Sequence, residues 1–134
     1  MALVWACRPA VSPDKSAAEI TEAYNKDNID EARAKTDAFF ASGVRLDTIA
    51  VPRLCMLSIT LAKLSESSAP GEDYTAQALS CYRAALRRDS VTATSFYRAL
   101  GYDDFKYYQL LQQLEGRVDA RREGIRSVED SIHD

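Results

Sequence analysis

Val51-Pro-Arg-Leu54-Cys-Met-Leu57-Ser-Ile-Thr-Leu61-Ala-Lys-Leu64 is the stretch that decides the fold. Leucines at 54, 57, 61 and 64 recur at three- and four-residue intervals, the spacing of one helix face. Cys55, Ile59 and Ala62 make a second apolar face, which leaves only Arg53, Met56, Thr60 and Lys63 as a narrow strip between them. Pro52 falls in the first turn, where a missing N–H costs nothing. A helix that is apolar on two sides belongs at the centre of a helical domain.

The helical period continues outward in both directions. Upstream, Ser16 and Glu19 have the spacing of a capping box, and Ala17, Ile20 and Tyr24 follow as an apolar stripe. Asn28 precedes Asp30 and Glu31, acids suited to the positive end of a second helix, whose Ala32, Phe39 and Phe40 lead to a stop at Gly43. Downstream, Pro70-Gly71 punctuates a turn, and a helix is expected over 72–88 with Ala78, Cys81, Tyr82, Ala85 and Leu86 inward. Asp89 or Ser90 caps a shorter helix ending near Gly101, and Asp103 or Asp104 opens a last one that runs toward the C-terminus. No strong period-2 stretch interrupts the series. The expected fold is all-α, with antiparallel helical hairpins and a long C-terminal helix.

Composition narrows the classes of function. Of 134 residues, 46% are hydrophobic and 28% charged, the balance of a folded domain and not of a disordered chain. Seventeen basic against 20 acidic side chains leave a net charge of −3, so no basic field draws the chain onto nucleic acid. No apolar run reaches the roughly 18 residues of a membrane span. The chain divides into an N-terminal tail over 1–15, marked by Pro9 and Pro13, a helical domain over 16–118, and a charged extension over 119–134.

Ala78-Leu-Ser-Cys-Tyr82-Arg-Ala-Ala85-Leu86-Arg-Arg-Asp89 resembles the second helix of a tetratricopeptide (TPR) repeat, with Ser90 where that family has proline. Leu54, Leu57, Ser58 and Leu61 match the spacing of the family's first helix. The flanking pairs match poorly: Thr36 and Phe39 stand where an aromatic and an alanine belong. Two architectures therefore remain open, a TPR-like stack and a non-repeat helical bundle. The resemblance implies an adaptor that binds a peptide or helix of a partner protein. Its groove would be lined by Pro52, Cys55, Met56, Ile59, Ala62 and Lys63. Residues 51–118 also resemble, more faintly, an uncharacterised family of small helical bacterial lipoproteins.

Cys7, after Leu3-Val4-Trp5-Ala6, resembles the lipidated cysteine of such proteins, which would place the chain on a bacterial envelope; without lipidation it would be cytoplasmic. In the alternative function the chain is a structural envelope lipoprotein without small-molecule chemistry. It would self-associate along Leu114, Val118, Ile125 and Val128, part of a 4,3,4,3 spacing that begins at Tyr107 and includes Arg121. Cys55 and Cys81 lie at similar heights on neighbouring helices, as a disulfide or, preferred because they would face different ways, two separate buried thiols. Three cysteines with no CxxC and one histidine, His133, supply no metal set, and no cofactor is expected. No nucleophile–base pair emerges, so the chain is not expected to be an enzyme. Arg83, Arg87, Arg88 and Arg98 are read as solvated helix faces.

Overall fold

The first helix begins at a serine–proline step. Ser12 keeps extended backbone and its Oγ accepts from Lys15 N at 3.2 Å, while Pro13 takes a first-turn position that needs no donor. Helix α1 (Pro13–Asn25) thus starts at Pro13, inside the stretch expected to be linker, and not after Ser16. A computed structural model describes residues 12–67 and 73–133, with side chains described for residues 12–66 and 73–117. Helix α2 (Ile29–Ala41) follows, and its exit passes through Gly43 at φ +71°, a left-handed backbone that glycine adopts without a Cβ penalty. A short 3-10 turn at Leu46–Thr48 leads into α3 (Val51–Ser67). Helices α4 (Thr75–Arg88), α5 (Ser90–Arg98) and α6 (Tyr102–His133) complete an all-α chain, with no strand among the described residues. Asp89 caps α5 by accepting from Thr92 N at 3.1 Å, one of the two caps anticipated there.

Side-chain contacts fix how the helices run. Helices α1 and α2 are antiparallel, since Glu19 meets Lys35 while Pro13 and Ser16 line a hollow with Ser42. Helices α3 and α4 are also antiparallel. Arg88, at the end of α4, donates to the Ile49 carbonyl just before α3, and at the other end Ser65 Oγ accepts from Tyr74 N at 2.9 Å. Helices α1 and α3 run parallel: Ala50 N donates to Asp14 at 3.1 Å, Thr21 meets Thr60 at 3.0 Å, and Lys63 lies over the Tyr24 ring.

Helix α3 touches α1, α4, α5 and α6, while α2 packs chiefly on α1. Leu54, Leu57, Leu61 and Leu64 are all fully buried, and so are Cys55 and Ile59 on the second face. Each such aliphatic side chain contributes about 1.5–3 kcal/mol relative to an exposed one. Buried alanines at 17, 32, 78, 85 and 93 let the neighbouring backbones approach. The first turns of α6 lie beside the last turns of α3 and run the same way, because Asp104 pairs with Lys63 at 2.6 Å and Tyr107 donates to Glu66 at 2.6 Å. Helix α5 has only nine residues, so α6 takes most of its cover from α3 and α4.

Candidate functional site

Three tyrosines from three helices meet at the centre. Tyr97 of α5 is fully buried, its ring stacked on Tyr108 of α6 at 4.5 Å and 3°, with Tyr82 of α4 tilted against both. The Tyr97 hydroxyl reaches Ser58 Oγ of α3 at 2.6 Å. Ser58 has one proton, which it donates to the Cys55 carbonyl at 2.6 Å, so Tyr97 is the donor in the pair. Burial holds the Tyr97 phenol well above its ordinary value and pushes that of Tyr82 up to about 12. Burial also pushes the Cys55 thiol up to about 11 and the Cys81 thiol up to about 12. Both cysteines are free, in agreement with the preferred of the two alternatives. Protonated thiols sealed from solvent are poor nucleophiles, so this cluster is a polar pin inside the core.

The six residues expected to line a groove have separate environments. Pro52 is exposed and Met56 half-buried, but Cys55 and Ile59 are fully buried and Ala62 nearly so. The groove expectation is corrected at Cys55 and Ile59, which the core encloses: Cys55 lies near Tyr97 of α5 and Cys81 of α4, while α1 runs parallel along the neighbouring face of α3 that carries Thr60 and Lys63. Thr21 donates to Thr60 across that contact, since the Thr60 hydroxyl already donates to the Met56 carbonyl at 3.0 Å. Lys63 is held between the rings of Tyr24 and Tyr107 while paired with Asp104. Ala62 borders an open cleft.

That cleft, of about 480 Å³, lies between α3, α4 and α6. Ala62, Ala78 and buried Leu111 form its floor, and Leu110 and Leu114 of α6 form an apolar wall, with Leu110 41% exposed. Glu66 and Asp73 also line it, each next in sequence to the Ser65–Tyr74 hydrogen bond that joins α3 to the approach of α4. Glu66 accepts from Tyr107, whose phenol is raised by burial and by that carboxylate. The Asp73 carboxyl is held below its ordinary value by hydrogen bonds from the Thr75 hydroxyl and backbone N–H, with a smaller contribution from the Ser65 hydroxyl. Sequence reasoning singled out Leu114 for self-association and missed Leu110, whose signal was an unshared apolar position beside the Leu111–Leu114 stripe.

A second hollow, of about 340 Å³ between α1 and α2, is crossed by the Glu19–Lys35 pair and has Phe39 and Val44 on its walls. Of the arginines, Arg83 pairs with Glu115 and Arg88 with the Ile49 carbonyl, while Arg87 and Arg98 are exposed. Cys7, and the side chains of Val118, Ile125, Val128 and His133, lie outside the described residues. No group of three or more metal-ligating side chains occurs among the described residues, and none of their helices is long and apolar enough to cross a membrane. Comparison with protein families, curated proteins and solved structures finds no match for the chain.

Proposed function

We propose that this chain is a helical interaction module that binds a peptide or helix of a partner protein, through the α3/α4/α6 cleft and not through the face of α3 covered by α1. The observation that carries this is the cleft wall: Leu110 and Leu114 stand half-open over a floor of small residues. Partner helices are gripped in this manner, with aliphatic side chains entering an apolar trough. A TPR-like arrangement belongs to the same proposal. Its support is the antiparallel α1/α2 and α3/α4 pairs and the parallel run of α1 beside α3, as first helices of successive repeats would lie. The direction of α6 along α3 departs from that pattern and restricts the comparison to residues 13–88.

The test is selection of displayed peptides against the full chain, followed by mapping their footprint by amide chemical shifts. Enriched peptides should perturb Leu110, Leu111 and Leu114, and Leu110→Asp should abolish their binding without altering the melting midpoint. A footprint elsewhere, or no enriched peptide, refutes this use of the cleft.

The second proposal is self-association along α6. Leu114 is only half-buried in the cleft, and the 4,3,4,3 spacing continues in the sequence through Val118, Ile125 and Val128. Sedimentation of the full chain against a form ending at Asp119 separates the cases: a full chain that stays monomeric rules self-association out. Tethering to a bacterial envelope through Cys7 belongs with this proposal. Mass spectrometry of the chain expressed from its own gene should find diacylglycerol on that thiol, and an unmodified Cys7 removes the tether.

A further inference from the structure

The cleft has a charge as well as a shape. Its lining includes Glu66 and Asp73, and no basic side chain is among its described lining residues. The nearest cations are held elsewhere or follow it in the sequence: Lys63 is paired with Asp104, Arg83 with Glu115, Lys106 lies over the Tyr107 ring, and Arg117 comes three residues after Leu114. The Glu66 carboxylate accepts from Tyr107 and that of Asp73 from Thr75 and Ser65, and both residues are exposed, so each presents carboxylate oxygen to solvent. Two such carboxylates on the lining of an apolar trough attract a cation carried beside an aliphatic side chain.

We infer that the occupant of this cleft is an amphipathic helix of a partner protein whose leucine-type anchors are flanked by lysine or arginine, with the basic end directed at Glu66 and Asp73. This rests on the interaction proposal above and specifies the chemistry of the partner. The anchors enter between Leu110, Leu114 and the alanine floor, and the basic group closes over the two carboxylates. Orientation follows from the asymmetry of the lining, whose two acidic side chains are Glu66 and Asp73 and whose α6 wall is apolar.

Two synthetic helical peptides with the same leucine positions, one flanked by lysines and its twin by glutamates, provide the probe, with fluorescence anisotropy of the full chain as the readout. The lysine peptide should bind about tenfold more tightly at low salt, and the gap should narrow as salt rises. The double substitution Glu66→Gln and Asp73→Asn retains acceptors for Tyr107 and Thr75, so the fold should persist while the preference falls to about twofold or less. Leu110→Asp should eliminate binding of the lysine peptide. Equal binding of the twins, or a preference that survives the neutral double variant, overturns the inference while leaving the interaction proposal intact. Binding of neither twin also overturns it; the displayed-peptide footprint then decides separately whether the cleft binds partners at all. If the full chain dimerises and Leu110→Asp makes it monomeric, the occupant is a second copy and the inference is wrong.

Discussion

Tyr97→Phe removes one buried oxygen and leaves the aromatic stack in place, so it isolates the Tyr97–Ser58 hydrogen bond. In the native chain Tyr97 donates to Ser58 Oγ at 2.6 Å, and Ser58 donates onward to the Cys55 carbonyl. The phenylalanine variant leaves Ser58 its outgoing bond but no incoming one, in a site without solvent. Ser58→Ala leaves a buried phenol hydroxyl without its acceptor. Each single change should therefore cost about 1–2 kcal/mol, near the middle of the range for an unmade buried hydrogen bond. The double variant removes both partners together and should cost much less than the sum, with a coupling of about 1 kcal/mol. Urea unfolding followed by helical circular dichroism measures all four corners of the cycle, and the slope should remain constant across them. In a chain of this size 1 kcal/mol moves the melting midpoint by about 4 °C, well within thermal-scan precision. Additive single effects, or a Tyr97→Phe cost below about 0.5 kcal/mol, would refute the assignment of Tyr97 as the donor that pins α5 to α3.

Ile59→Ala should destabilise the chain by about 2–5 kcal/mol, because Ile59 is fully buried; unchanged thermal stability would mean that Ile59 is not part of the core. Gly43→Ala should cost about 1 kcal/mol from the left-handed backbone alone, since an added Cβ meets nothing within 4 Å; a neutral result in chemical unfolding would show that this turn relaxes freely. Alkaline pH should weaken the fold. Cys55, Cys81 and Tyr82 hold their protons more tightly when folded, so their stabilising effect is complete below the ordinary values of 9.0 and 10.0 and declines as pH rises through them toward about 11 and 12. A urea midpoint that stays flat across that window contradicts their burial.

The central helix was legible because its pattern has few alternatives. A run apolar on two sides cannot lie at a surface, and each leucine expected inward on α3 is buried. The Asp89 cap was legible for a similar local reason, one accepting side chain placed one turn before the N–H that donates to it. The beginning of α1 was not, because Ser12-Pro13 carries two opposite meanings. Proline after serine either breaks a chain or opens a helix at its first position, and which applies depends on the residues that follow being covered. Here Asp14 is fastened to Ala50 N and to Arg53, contacts that residues 13–25 alone do not reveal.

Two side chains of the expected groove are buried, and the packing around α3 explains why. Periodicity states which faces of α3 are apolar, but a helix with two such faces does not say which neighbour takes each. The resemblance to a first repeat helix left Cys55 and Ile59 for a partner, whereas α1, α4, α5 and α6 surround α3 and both side chains are enclosed from within the chain. Enclosing them displaces the opening to α6, the last helix to find cover. Helix α5 is too short to shield it, so Tyr107 and Tyr108 are drawn toward α3 and α4 while Tyr102 stays 95% exposed and Leu110 stands at the cleft. The open apolar surface is thus a consequence of unequal helix lengths, which is why it follows from the packing of the whole chain and not from any one stripe of residues.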